Sequence, residues 1–563
     1  MSRQPQDPSS PLIAPRAQMP RYSQEPWTPE EADVLRRYFT NLDRPVFALV
    51  NLPEVVKGAL FARYSRSAKP LRRLFLDEFV GDLDISGDQS VDATVGLRRA
   101  EELYGRVFLD YGDDSVAQLG GVHLACEQAS NILTKILEWG RVMAYMEQST
   151  RYVAFEVRLG DGRYRYHRDP AILGSQLGAR YVGEMDRMFD TYSQLFPAVA
   201  EWVARSHPKG RSDSDLAWRR AVKARALDAV RGLLPAASLS NVGVYGSGQA
   251  YEALLLRMRS HPLPEAGAYA EMMLEELRKV VPSFLTRVDR PERGCAWSAY
   301  LAGTREATAS LAAELTAGLD AEPRPLVSLV DYDPAGEDKV ITAILYPHTS
   351  LPEDQVARLV ADMSGEERAA VMAAYVGERT NRRLRPGRAL ERTTYRYDVV
   401  SDYGAFRDLQ RHRMLTIEWQ SLGTDLGWVL PDDVAEAGLE APFRESMERS
   451  AELREALAGP FPEQAGYAVA LAYRIRYSMQ MNAREVMHIT ELRSASQGHD
   501  SYREVAQEMH RLVGSQAGHR ALAGAMRFVD HGQPALGRLQ GEDRAERRRA
   551  GHTTPASTGP QMP

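Results

Sequence analysis

Two separated stretches of this chain can be laid over each other in a single register. Setting Ser421 on Ser149 places RHRMLTIEWQSLGT against WGRVMAYMEQSTRY, so that Arg413 meets Arg141 while Arg411 and His412 meet Trp139 and Gly140. Further along, NAREVMHITELR (482–493) lines up with GQAYEALLLRMR (248–259), and both end in an arginine. An internal repeat limits the fold more than composition does, because one supersecondary plan has to serve twice. At 563 residues there is room for two copies of roughly 200 residues or more, each with its own core.

Periodicity reads as α+β in both halves. PVFALVN and the alternating TTYRYDVVS carry strand patterns, the latter feeding a helix over YGAFRDLQRHRML. SVAQLGGVHLACEQASNILTKILEWG repeats its apolar residues at three- and four-residue steps, which predicts long amphipathic helix. The patterns divide the chain into a first domain over 31–290, a linker over 291–325 that includes GLDAEPRP, and a second domain over 326–530. Residues 1–30 are rich in Pro, Ser and Gln, and 531–563 are charged and then rich in Pro, Thr and Gly, so both ends are expected to be unordered tails.

With 44% hydrophobic and 26% charged residues the composition is globular, and a net charge of −6 disfavours bulk electrostatic binding to nucleic acid. No apolar run reaches the ~18 residues that span a bilayer, and no signal-peptide pattern opens the chain, so no membrane partner and a cytoplasmic location are expected. Cys126 and Cys295 form neither a zinc pair nor a redox pair, and no metal is expected. Cys126, in HLACEQA, reads as a small buried hydrophobe. GVYGSGQAYE lacks the third glycine of a dinucleotide loop and reads as a turn before a helix.

The chemistry gathers around RHR. Arg411, His412 and Arg413 place three cationic or cationisable groups side by side, which packing does not require, since unpaired guanidiniums are costly to bury. An anionic ligand does require it, because guanidinium forks fit phosphate oxygens in pairs. For the triplet alone, an arginine-rich solvated face is the plainer reading; Ser421, separated from the triplet by seven residues, turns the balance.

RHR, seven residues and then Ser resembles the signature of the flavin-dependent thymidylate synthases, whose fuller pattern continues through Glu, Ser and Arg-Tyr. The NAR helix from Asn482 strengthens the likeness. The chain resembles two such domains in tandem, over most of 45–285 and 326–515, and neither carries the whole pattern. The second has Trp419 and Gly423 where the family has Glu and Arg; the first has Trp139 and Gly140 in place of Arg-His. The resemblance implies two α+β domains, each a small, mainly antiparallel sheet packed with long helices. It implies FAD as cofactor, NADPH and methylenetetrahydrofolate as co-substrates, and reductive methylation of dUMP to dTMP.

By position, the resemblance assigns nucleotide binding to Glu147, Gln148, Ser149, Arg151, Arg231 and Arg259, with Arg411 serving both ligands. It assigns flavin contacts to Ser65, Glu391, Arg411, His412, Arg413, Asn482 and Arg484. His488, one helical turn beyond Arg484, either faces the flavin or is a polar core histidine, and Glu391 either contacts flavin or belongs to a solvated face. Arg493 or Arg259 is the candidate to polarise the uracil ring, where negative charge builds in the transition state. The departures are complementary, so the halves are expected to pair into one composite site and to leave the remaining pseudo-sites vacant. Two chains would then form a homodimer with a shell of four domains. Two further readings stay open: a degenerate flavin- or nucleotide-binding homologue with a regulatory or assembly role, and a flavoenzyme acting on another nucleotide.

Overall fold

The computed structural model describes residues 22–52, 60, 64, 67–78 and 121–552. Each half holds a small antiparallel sheet. The first contains β1 (Val46–Leu49), β2 (Gly121–Ser130), β3 (Met143–Glu147) and β4 (Leu239–Ser247) in the order β1-β2-β4-β3. The second contains β5 (Val327–Tyr332), β6 (Thr394–Asp402), β7 (Leu415–Trp419) and β8 (Arg474–Asn482) in the order β5-β6-β8-β7. The repeat read from the sequence is thus an α+β plan folded twice.

With the first sheet go α1 (Asn131–Leu137), α2 (Gly178–Ser206), α3 (Asp215–Val230), α4 (Gly248–Arg259) and α5 (Pro264–Arg278). Helix α6 (Ala296–Leu315) lies between the halves in sequence. With the second sheet go α7 (Tyr403–Leu409), α8 (Glu440–Ala458), α9 (Ala483–Arg493) and α10 (Asp500–Ser515), followed by α11 (Leu539–His552). The same local device starts α1, α4, α7 and α9. The last residue of the preceding strand (Ser130, Ser247, Asp402 or Asn482) caps the helix by accepting a main-chain N–H from three residues on. Strand therefore passes to helix without a loop, which fixes the direction of every side chain on the first turn.

The halves join by main chain as well as by packing. Residues 232–237 run antiparallel to 467–472: Ala236 N–H donates to Val469 O (2.8 Å), Leu471 N–H to Leu234 O (2.9 Å), Ala237 N–H to Tyr467 O (3.1 Å) and Ala472 N–H to Gly232 O (3.0 Å). These bonds fall into symmetry-related pairs about the Pro235–Ala470 bridge, marking a pseudo-two-fold axis within one chain. A Cβ on Gly232 would lie 3.0 Å from that of Ala472, so glycine permits the close approach. Near the axis Tyr403 Oη donates to Asn131 O (3.1 Å) and Gln410 Nε2 to Lys135 O (3.1 Å), linking α7 to α1. One buried apolar cluster runs from Val46 to Met526 through both copies, so they share a core where separate cores were expected.

Other expectations also change. Residues 121–130 lie in the stretch whose steps predict helix, yet form β2, paired with β1 on one side and β4 on the other. A strand covered on both faces loses the polar alternation that would mark it. Tyr22 Oη donates to Glu127 (2.6 Å) and Glu25 pairs with Arg73 (2.7 Å), so residues 22–30 are tied to the fold where a tail was expected. Helix α11 falls in the C-terminal stretch also expected to be unordered and pairs with α3 through Glu542 and Arg220 (3.5 Å). Residues 1–21 and 553–563 lie outside the described residues. Helix α6 occupies most of the predicted linker and buries none of its side chains. Among the described residues no helix is long and apolar enough to cross a membrane.

Glu265 at the start of α5 ties the copies together. Buried, it accepts from Ser130 N (2.9 Å), Ser130 Oγ (2.6 Å) and, from the other half, Tyr467 Oη (2.6 Å). Glu265→Ala orphans those buried donors and is expected to lower the unfolding free energy by about 3–5 kcal/mol in denaturant titration. An alanine variant as stable as the wild type would contradict this role.

Candidate functional site

Arginines from both halves converge on two carboxylates, buried Asp408 and half-buried Asp228. Asp408, in the last turn of α7, accepts from Arg411, and faces Arg231 of the first half (Nη1 to Oδ2, 3.5 Å) and Arg493 of α9 (Nη1 to Oδ1, 3.6 Å). Its main-chain carbonyl accepts Arg493 Nη2 at 2.6 Å. Burial works to raise the Asp408 pKa, but Arg411, Arg493, Arg231 and Arg151 hold it well below the carboxylate range. Asp228, near the end of α3, grips Arg151 through two 2.7 Å bonds in a bidentate fork. Burial opposes ionisation there too, and Arg151, His499 and Arg538 still bring Asp228 down to about 2. Arg151 also crosses into the second half, donating to Tyr502 Oη and to Gln497 O (3.1 Å). The Arg151 and Arg493 guanidiniums sit 5.4 Å and 5.5 Å from the Tyr502 ring centroid, so this ring bridges the two clusters.

Glu147, the last residue of β3, completes the crossing. It accepts from Arg407 Nη2 (2.6 Å) and Lys135 Nζ (3.3 Å) and lies 3.8 Å from Arg411 Nη1. Against burial, Arg407, Lys135 and Arg411 lower its pKa to about 2.

His412 has a defined tautomer. Its Nε2 accepts from Arg493 Nε (2.9 Å), and a guanidinium can only donate; the ring proton therefore resides on Nδ1, which donates to Glu485 Oε1 (3.2 Å). Burial, with Arg493, His488 and Arg411 nearby, pushes its pKa well below the usual imidazole range, so the ring is neutral. The His488 ring lies 5.3 Å away and is lowered to about 4 by burial, Arg385, Arg493 and Arg382. Burial raises Glu485 to about 7, opposed by Arg385, Arg484 and Arg413. His412, Glu485 and His488 bring metal-type donor atoms within 4.8 Å of one another. With Arg493 already on Nε2 and guanidiniums on every side, this field suits an anion better than a cation.

The repeat places a second set of positions at the mirror location. Arg411 corresponds to Trp139, Glu147 to Trp419, Asp408 to Ile136, Arg151 to Gly423 and Arg231 to Gly466. Where one location has the Arg411–Glu147 ion pair, the other has Trp139 edge-on to Trp419, ring centroids 5.1 Å apart. Phe406 packs on Trp419 at 5.5 Å, and Ile132 fills the space in front of Gly466. The second location was expected to be vacant; aromatic and aliphatic side chains fill it.

A family model described as "Thymidylate synthase complementing protein" (Thy1) matches residues 69–283 and again 328–517. The chain belongs to that family, in two tandem copies. A UPF0159 protein of Chlamydia muridarum is 39% identical to it over 521 residues, spanning 92% of this chain and 98% of its own. A UPF0159 protein of Thermoplasma acidophilum is 31% identical over 515 residues, spanning 87% and 98%. Among solved structures, a UMP/dUMP methylase PolB from Streptomyces cacaoi bound with 5-Br dUMP is 18% identical with a TM-score of 0.30, covering 37% of this chain and 96% of its own. Thymidylate Synthase X from Helicobacter pylori with FAD and dUMP is 17% identical with a TM-score of 0.28, covering 36% and 99%.

Of the residues singled out by likeness to thymidylate synthase complementing proteins, the structure gathers Glu147, Arg151, Arg231, Arg411, His412 and Arg493. Ser149 Oγ accepts Arg151 N–H at 3.2 Å and so shapes the turn beside them. Arg413 donates to Met143 O across the two edge strands, while Arg141, its repeat mate, donates to Thr416 Oγ1 (2.9 Å). Asn482 is spent as the α9 cap. Arg484 donates to Pro386 O (3.0 Å) and pairs with Glu391 (3.3 Å), in a patch with Arg385 and His488. Two assignments are not supported by position. Gln148 turns into the first half, accepting from Arg165 Nη2 (2.8 Å) and donating to Ser67 O. Arg259 binds Glu271 (2.8 Å) and Val288 O (2.8 Å) at the far end of α4, which leaves Arg493 as the ring-polarising candidate. Ser65 lies outside the described residues.

Sequence reasoning missed Asp228, Asp408, Lys135, Arg407, Tyr502 and the NRRLRPGR arginines. The arginine run was visible; the others act through partners far away in the chain, within one half for Asp228 with Arg151 and across the halves for Asp408, Arg407 and Tyr502. Glu485 yields a check on the electrostatics. An acid raised from 4.5 to about 7 retains in the fold a proton that the unfolded chain has lost, so its contribution to stability falls as pH rises through that interval. Glu485→Gln is expected to flatten the stability–pH profile between those two values in thermal melts, and an unchanged slope would contradict the assignment.

Proposed function

We propose that the chain is an FAD-dependent thymidylate synthase whose single composite site converts dUMP to dTMP, with methylenetetrahydrofolate as carbon donor and NADPH as reductant. The contrast between the two repeat-related locations carries this reading. One is lined by arginines from both halves and the other is filled by Trp139 and Trp419. The arginine-lined location fits anionic ligands: Arg231 Nη2, Arg407 Nε and Arg411 Nε are buried with no hydrogen-bond partner among the described residues. A Cβ on Gly404 would lie 3.0 Å from Arg231 Nη2, so glycine keeps the space beside that donor open.

In this reading Ser149, Arg151 and Arg231 hold the nucleotide phosphate. Arg411, His412, Arg413 and the patch of Arg484 and His488 hold the flavin, with Asn482 capping the helix that carries the patch. When bound, the flavin supplies the hydride transfer. The chain's own groups bind, orient and exclude water. Arg493, fixed between His412 Nε2 and the Asp408 carbonyl, brings a positive charge that stabilises negative charge developing on the uracil ring. Neutral His412 donates through Nδ1 and leaves that field undiluted. No thiol is poised to attack the ring: Cys126 is buried in β2, where burial and Glu127 push it up to about 12. A homodimer presenting four domains belongs to the same proposal.

Purified protein is expected to carry a flavin spectrum that NADPH bleaches, and its expression is expected to rescue a thymidine-requiring strain. Soluble, flavin-loaded protein that fails to rescue would contradict the proposal and favour a binding homologue. His412→Ala is expected to weaken flavin retention, and Arg231→Gln to weaken dUMP binding by about 1.5–3 kcal/mol in equilibrium titration. If either variant lost both ligands equally, the division of roles would fall.

A further inference from the structure

The chain beyond the second family segment, which ends at residue 517, returns to the site as a strap. Asp530 N–H donates to Ser494 Oγ (2.9 Å) and its carbonyl accepts Gln507 Nε2 (2.8 Å). Gly532 O accepts Arg503 Nη2 (2.8 Å), and Ala535 O accepts Arg225. At Gly537 a Cβ would collide with the Ser496 carbonyl, so the strap lies directly on the main chain of the second half. Helix α11 then anchors it to α3, where Ser214 N–H donates to Asp543 (3.3 Å) and Ser214 Oγ to Glu546.

This anchoring delivers Arg538. Its guanidinium lies 4.6 Å from the Tyr152 ring centroid and 3.8 Å from Asp228 Oδ2, with the side chain only 11% exposed. Its Nη1 is buried and has no hydrogen-bond partner among the described residues. Charge sharpens the point. Around Asp228 and Asp408 stand Arg151, Arg231, Arg411, Arg493 and Arg538, while Glu147 is engaged by Arg407 and Lys135. Arg411 also faces Glu147 (3.8 Å), Lys135 also pairs with Glu138 and Arg231 lies beside Asp402, so six guanidiniums and one ammonium stand against five carboxylates, a positive surplus that an anionic ligand would neutralise. Behind Asp228 is a cavity of about 230 Å³ that Arg538 and Arg225 also line, but whose wall is dominated by Asp228, Asp432, Asp433, Asp500 and Glu504. Those carboxylates repel a phosphate, so the anion belongs on the Tyr152 and Arg151 side.

We propose that Arg538, a residue outside both family segments, binds the phosphate of the nucleotide together with Arg151 and Arg231. This rests on the nucleotide reading of the site. The test titrates full-length, flavin-loaded wild type, Arg538→Gln and Arg538→Lys with dUMP and with deoxyuridine, by calorimetry. Arg538→Gln is expected to weaken dUMP about tenfold to a hundredfold and to leave deoxyuridine unchanged, with Arg538→Lys between it and the wild type. Thermal melts identify any variant that fails to fold, in which case the lysine variant decides by the same comparison. Equal dUMP affinity in the wild type and the folded variant, or parallel losses of dUMP and deoxyuridine, would overturn the role of Arg538 alone. A wild type that binds neither ligand would overturn the nucleotide reading and this inference with it.

Discussion

The pairing of 232–237 with 467–472 is the constraint on which the site depends. Arg231 immediately precedes one strand of that pairing, and the start of α7 is bound to the other: Gly404 N–H donates to Leu471 O (3.1 Å) and Tyr403 N–H to Tyr473 O (2.9 Å). Main-chain bonds at a two-fold axis fix register, because a slip of one residue would break each symmetric pair. That register sets Arg231 of one copy against Asp408 of the other. The strand-end caps then aim α7 and α9, so that Arg411 and Arg493 arrive at the same carboxylate.

The backbone is nearly symmetric and the chemistry is not. A buried guanidinium–carboxylate group is costly to desolvate and is stabilised only when its donors and acceptors are matched. A duplicated chain has two such locations, and a location without a ligand would gain little from keeping its charges. Replacing the ion pair by Trp139 and Trp419 turns the second location into core: the tryptophans pack on each other, with Phe406 against one and Arg257 stacked on the other. The first location keeps its charges and holds more cationic than anionic groups. The two repeat-related locations thus differ in kind, one lined by charged groups and the other packed as core.

Much of this plan was legible in the residues. The Ser149–Ser421 register foretold two halves of the same α+β plan, and the matched sheets obey it; the helix expected over YGAFRDLQRHRML ends at Leu409, and β7 begins at Leu415. The substitutions of Trp139 for Arg411 and Trp419 for Glu147 foretold that the copies would differ in charge. What filled the second location could not be read, because a tryptophan in a sequence carries no address for its partner. Helical steps in 121–130 misled for a related reason: a strand buried on both faces shows apolar residues at spacings a helix also uses. Asp408 and Asp228 carried no local signal, since their roles come from arginines far away in the chain. Tyr502 is likewise defined by its two guanidinium neighbours alone. The strap escaped because a charged, glycine- and proline-containing tail resembles disorder until Arg503, Gln507 and Arg225 are seen to hold it.

Counting ligands per chain tests the central claim most directly. Titration of flavin-free protein with FAD, followed by dUMP, should saturate at one equivalent of each per 563-residue chain. Two equivalents of either would mean that the tryptophan-filled location also binds, and the account of a single composite site would be wrong.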